Sequence, residues 1–441
     1  MPTPSPPTGR HRWFPRSTAG RWLLVALLVA TALFRMTQNM ASTTLSLLAG
    51  EAVHVSAAEI GVLGAGVGLV GTLVTLLFSR RVPHHRAAAS ATWSMAGLVV
   101  SLLVLAVAPS FGVLAVGAVL LGVVSGVAMP GLLNAIASAA GAERERVIAL
   151  YTVTLSVSLA VGPFLETVVL GIAHQDVRVP YVLFTVFPLV AVAVLVNARR
   201  RRRRAGPVTS GDQAASTTEE AQVEATTVNV DVVGDVSVEA SEGSGPGPTR
   251  QPGLFASRAG RTAMVAQLLY NVPFSGITVF GALVARRGFG VTAAQAELGF
   301  TVFFVCSFLA RASVAWRSPI TAKHALLWLS AALTVAGLAL IGTGHGLVLL
   351  LVAMGVLGIP HGLTFPLALA LVAEATPIEA LPRANATLLG STNLSSVVVP
   401  LALGAIVPTV GYQGMMLAVL VPVVVLTFVE LAVYLPHRNP S

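Results

Sequence analysis

The chain has 441 residues, of which 55% are hydrophobic and 10% charged, with a mean hydropathy of +0.82. A soluble domain carries roughly 25% charged residues, so water is excluded as the solvent for most of this surface and lipid takes its place. The net charge of +9 would point to nucleic acid in a soluble chain, but basic residues in a membrane protein first mark the cytoplasmic side of the bilayer. Lys323 is the one lysine, and the single cysteine, Cys306, excludes an internal disulfide or a CxxC site.

At the amino end Arg10, Arg12, Arg16 and Arg21 precede an apolar run from Trp22 to Gly50. That run exceeds the roughly 7 to 15 residues of a signal-peptide core, so it reads as a first membrane helix. Further apolar segments fall at 58–79, 87–108, 111–139, 147–173 and 180–197, then at 262–285, 293–315, 322–342, 345–372, 385–409 and 411–435. Each suffices to cross a hydrocarbon core, and backbone pairing in lipid makes helices the expected form. Ser56-x-x-Glu59 and Thr292-x-x-Gln295 have the spacing of capping boxes opening the second and eighth helices.

Alternating the twelve segments across a bilayer puts 23 of the 27 basic residues on the side of the chain termini, counting Arg311 with the connection after the eighth helix. Arg178, Arg286 and Arg287 fall on the other side, and Arg35 lies within a helix. Both termini are therefore expected in the cytoplasm of a bacterial cell, the chain crossing its cytoplasmic membrane. The expected organisation is a tail over 1–21, a six-helix half over 22–198, a linker over 199–261, a second half over 262–435 and a tail over 436–441. The linker opens with Arg199 to Arg204, an orientation signal, and from 205 to 249 its composition is that of disorder.

The halves repeat. Val55 to Glu59 matches Val291 to Gln295, Arg146 precedes Pro163 by the spacing that separates Arg383 from Pro400, and Asn39 corresponds to Asn271. Duplication of six helices is the plan of a transporter with two rocking halves. Six plus six helices, a long charged central loop and repeated halves resemble the major facilitator superfamily over nearly the whole chain. Leu77-Phe-Ser-Arg-Arg81 keeps the arginines of that family's loop after the second helix without its acid and glycines. Ser158-Leu-Ala-Val-Gly162-Pro163 keeps the Gly-Pro core of its antiporter motif.

Ionisable groups in a bilayer are costly, so each marks a candidate site. Glu166 reads as the only acid well inside a helix, three residues after Gly162-Pro163. Burial in one conformation and exposure in another would let it carry the proton of an antiporter; the alternative is a structural ion pair or a place reached by water. Arg35 is a candidate for a carboxylate or phosphate of the substrate, or a partner for Glu166. The seventh helix has Gln267 where a second arginine would correspond. Gln38, Asn39, Tyr270 and Asn271 hold related positions in the first and seventh helices, which line the cavity in the family that the chain resembles; bonding between helices is the alternative. His361 is weighed as a substrate contact or proton relay against a packed hydrogen-bond partner. Gly162, Pro163, Pro360 and Pro366 are candidates for bending during gating.

No nucleophile elbow, phosphate loop or metal-ligand spacing occurs, so neither enzyme activity nor a cofactor is expected. The expectation is an all-α monomer in the lipid bilayer exporting a small, partly apolar molecule against protons, because the helices hold few fixed charges. Uptake of an anionic metabolite, and a receptor or scaffold on the same fold, are the alternatives.

Overall fold

In hydrocarbon a backbone N–H finds no water, so each apolar segment closes its own hydrogen bonds and becomes a helix. The computed structural model describes residues 18–81, 87–140, 144–204, 255, 257–317, 320, 322–377 and 380–434. The arginines at 10, 12 and 16, the linker from 205 to 254 and the tail from 436 lie outside the described residues.

The first half comprises α1 (Thr18–Leu47, prolonged by a π-helical turn Leu48–Ala52), α2 (Ala57–Arg81), α3 (Ala87–Ala106), α4 (Phe111–Ala140), α5 (Arg144–Ile172) and α6, in two pieces (Val179–Leu183 and Val186–Arg204). The second comprises α7 (Arg258–Gly288), α8 (Ala293–Trp316), α9 (Lys323–Thr343), α10 (Gly346–Ala375) and a continuous helical stretch Leu381–Tyr434. By length and composition eleven described helices could cross a membrane, the last over Arg383–Val429. Those 47 residues would measure about 70 Å, more than twice a roughly 30 Å hydrocarbon core. Gly411, at φ 71°, breaks the stretch into α11 (381–410) and α12 (412–434), which restores twelve crossings.

The helix ends follow local chemistry. Both expected capping boxes form: Ser56 and Glu59 exchange bonds at the start of α2, and Thr292 and Gln295 do so at α8. Helix α7 starts four residues ahead of its apolar run because the Ser257 side chain accepts from the Gly260 amide at 3.0 Å. Helix α6 runs on through the arginines to Arg204, since arginine is a good helix former and cations suit a carboxyl end.

Small residues bring the helices together. Leu76, Val100, Val116 and Val425 stay exposed, as lipid-facing side chains do, whereas a Cβ on Gly126 would lie 2.6 Å from the Gly71 carbonyl of α2. The two halves meet chiefly where α5 packs on α8, α2 on α11 and α1 on α7. The face carrying residues 18, 204 and 258 is called here the terminal face, and the other the opposite face. At the opposite face Arg286 of α7 pairs with Glu51 beyond α1 at 2.9 Å. Gln175, after α5, accepts there from the free Ala294 amide of α8 at 2.9 Å.

Candidate functional site

Helix α5 must reconcile a proline with a polar partner. Pro163 has no N–H, so the Leu159 carbonyl one turn earlier loses its helical donor. Asn39 of α1 supplies the replacement, donating from Nδ2 to that carbonyl at 2.8 Å. The contact needs Gly162, where a Cβ would meet the Met36 carbonyl at 2.5 Å. The Gly-Pro pair thus seats α5 on α1, and the Asn39 amide is spent between helices.

One turn beyond Asn39, α1 carries Thr43 and Thr44, and these reach two carboxyls. The Thr44 hydroxyl meets Glu166 Oε1 of α5, and the Thr43 hydroxyl meets Glu297 Oε2 of α8 at 3.0 Å. Both glutamates are 0% exposed, and their carboxyls lie within hydrogen-bonding reach of each other. The remaining oxygens, Glu166 Oε2 and Glu297 Oε1, find no other donor. Two ionised carboxylates have no proton to bond through, so the pair is satisfied when one carries a proton and donates it to the other. Each threonine also reaches a carbonyl of its own helix, Thr43 that of Asn39 and Thr44 that of Met40. A hydroxyl has one proton and free lone pairs, so it can donate to a carboxylate or accept from a carboxylic acid.

The chemistry here differs from the sequence reading in two respects. Glu166 is not the only buried acid, because Glu297 lies a full turn inside α8. Glu166 also does not pair with Arg35, which sits nine residues before Thr44, about 13 Å along α1, and donates instead to Gln38 Oε1 at 2.6 Å.

Arg35 belongs to a second cluster, nearer the terminal face. Arg311 of α8 lies within Coulombic range of it, as do Tyr151 of α5 and His361 of α10. Arg311 is therefore not a connection residue as its place in the basic count implied; it sits inside α8 and donates to Ser156 Oγ of α5 at 3.3 Å. Helix α8, not α7, supplies the second arginine. The interior is thus more charged than the few fixed charges expected of it: two guanidiniums and two carboxyls line the contact between the halves.

His361 bonds Ser307 of α8 through Nδ1 at 2.5 Å. Its ring lies 4.5 Å from that of Phe274, 5.0 Å from Phe303 and 5.2 Å from Tyr270. Helix α10 continues through Pro360 and Pro366. A cleft with an empty volume of ≈ 780 Å³ lies between the halves; Ser42, Leu45, Asn271, Phe274, Thr278 and Thr392 are among the residues lining it. Gln38 stands next to it, donating to Ser125 of α4 at 2.9 Å, and Asn271 donates to Thr392 at 2.7 Å. The related residues Asn39 and Asn271 both bond between helices, α1 to α5 and α7 to α11, and Asn271 also lines the cleft.

The Major Facilitator Superfamily model matches residues 27–240 and 263–441. No curated protein matches. Among solved structures the chain is similar to the nucleoside transporter NupG, at a TM-score of 0.70 and 13% identity, covering 93% of this chain and 99% of that one. It is similar also to a bacterial homologue of the human lysosomal transporter Spinster in an inward-facing, unoccupied conformation, at 0.67 and 13%, covering 95% and 98%. A peptide transporter in complex with alafosfalin aligns at 0.64 and 15%, covering 93% and 94%. The family model covers most of the chain and the fold agrees with it, so the chain belongs to the Major Facilitator Superfamily, a multi-pass membrane transporter of a small molecule.

Proposed function

We propose that the protein exports a small organic molecule across a bacterial cytoplasmic membrane in exchange for protons, by alternating access. The observation that carries this reading is the carboxyl pair, Glu166 from one half and Glu297 from the other, fully buried where the halves meet. An ion stripped of water costs several kcal/mol, and two touching carboxylates repel as well. Closing the opposite face over this pair is therefore favoured once a proton has been taken up. With the termini in the cytoplasm, as the basic residues support, that proton comes from outside and resets the carrier to face inward. The Gly162-Pro163 core, similar to the antiporter motif, favours exchange over co-transport.

The test uses protein reconstituted in liposomes and a transported compound identified by thermal-shift screening. Acidifying the outer solution should drive that compound out of the vesicles. Glu166→Gln and Glu297→Gln should each abolish the proton-driven flux and keep counterflow exchange, because an amide in place of one carboxyl donates to the other and the pair closes without taking up a proton. Undiminished proton drive in both variants would remove the pair from the mechanism, and accumulation inside the vesicles would replace export by uptake.

A further inference from the structure

We propose that Arg35 and Arg311 form a two-sided clamp for an anionic substrate, a carboxylate or phosphate monoester with an apolar body, one arginine contributed by each half. The proposal deepens the transport reading and rests on it for the movement of the ligand. Arg286 pairs with Glu51 and Lys323 with Glu374, and among the described residues neither clamp arginine has a carboxylate partner. Arg35 is held by the amide oxygen of Gln38 and Arg311 by the hydroxyl of Ser156, both neutral. Arg311 Nε is buried without an acceptor.

A guanidinium at the centre of a membrane helix is costly, and such groups are found paired or facing a cavity. Two within Coulombic range of one another add repulsion. One anion between them relieves both costs, and the planar fork of arginine fits carboxylate and phosphate oxygens in pairs. Tyr151 supplies an independent sign. It is 2% exposed, its hydroxyl has no partner, and it stands within electrostatic range of Arg35. An oxyanion is the acceptor that this donor lacks.

The apolar body follows from the neighbours. Arg35, Gln38 and Ser42 are spaced three and four residues apart and share one face of α1. Ser42 lines the cleft, about 10 Å along the helix from Arg35. Phe274 lines the same cleft and touches the ring of His361, while Tyr270, one turn away, stands near Arg311. An anionic group at the arginines would place its body against Leu45, Leu121 and Phe274.

Binding is read on the full chain purified in detergent, using benzoate, phenyl phosphate and neutral benzamide as probes in thermal-shift and calorimetric titrations. Benzoate or phenyl phosphate should bind at least about tenfold more tightly than benzamide, equivalent to roughly 1.4 kcal/mol. Preference for one anion names its head group as the recognised one. Arg35→Gln and Arg311→Gln should each erase the preference, and Arg311→Lys should restore part of it. The unliganded midpoint of Arg311→Gln should stay equal or rise, because the substitution removes an uncompensated cation; a purely structural arginine would lower it. Equal binding of all three probes, or a preference that survives Arg311→Gln, overturns the clamp. The assay needs no proton gradient, so the clamp and proton coupling through Glu166 can fail separately.

Discussion

Along the contact between α5 and α8 the molecule holds two charged systems that meet the low-dielectric interior in opposite ways. They stand about 15 Å apart along α5, from Ser156 to Glu166, and about 21 Å apart along α8, from Glu297 to Arg311. The acidic system is complete within the protein: two carboxyls, two threonine hydroxyls and one proton satisfy it. The basic system is incomplete, because Arg35 and Arg311 bond neutral groups and repel one another. A site that needs a proton and a site that needs an anion, both built from α1, α5 and α8, give exchange a physical route: the rocking of α8 against α1 and α5 changes both.

The comparison breaks most visibly if the acidic system is made permanently neutral. In the double variant Glu166→Gln/Glu297→Gln, proton-driven flux in liposomes should fall by more than about tenfold, a barrier change of at least about 1.4 kcal/mol. Counterflow exchange in the same vesicles should become insensitive to pH between the wild-type extremes. Probe binding by the basic system should be unchanged, since the two sites share no hydrogen bond. Coupled loss of anion preference in that variant would show that the two systems are one.

A smaller effect is expected from the seat that holds α5 against α1. Gly162→Ala should destabilise the protein by about 1–3 kcal/mol, the usual range for overpacking, because its Cβ would lie 2.5 Å from a backbone carbonyl that cannot move aside freely. Gly171→Ala is the control in the same helix. Nothing lies within 4 Å of its added Cβ, and alanine is the better helix former by about 0.8–1 kcal/mol, so thermal unfolding in detergent should show no loss there. Equal behaviour of the two variants would mean that α5 is not seated by that contact.

The membrane-spanning helices were legible because hydrocarbon leaves the backbone one choice, and the sequence shows where the apolar runs start and stop. The capping boxes at Ser56 and Thr292 were legible for the same reason, since a cap depends on residues three apart in one chain. The contents of the interface were harder to read. Glu297 lies two residues past a polar cap, where the sequence gives no sign of burial, and Arg311 lies close enough to the other end of α8 to pass for a loop residue. One signal was available: Glu297 and Arg311 are 14 residues apart, close to four helical turns, so both fall on one stripe of α8. Which stripe meets α5 depends on packing between the halves, which periodicity within one helix does not carry. The same limit explains Asn39. Pro163 announces a free carbonyl at Leu159, but only the approach of α1 to α5 decides which side chain fills it.

The smallest expected effect concerns the opposite face, which both systems need closed in this conformation. Glu51 and Arg286 bridge the halves there, with side chains 26% and 31% exposed. Pairs so open to water contribute about 0.2–1 kcal/mol. Glu51→Gln should therefore shift the balance toward opening by about 1.4- to fivefold without unfolding the protein, as Gln175 still bonds the Ala294 amide across the same contact. In a Cys306→Ala background, a cysteine at Thr278 in the cleft should react faster with a membrane-impermeant maleimide supplied from the opposite face. Adding anion should change that rate less than adding acid, because protons act on the carboxyl pair that lies next to this face and the arginines lie deeper. The reverse order would put the gate under the control of the basic system.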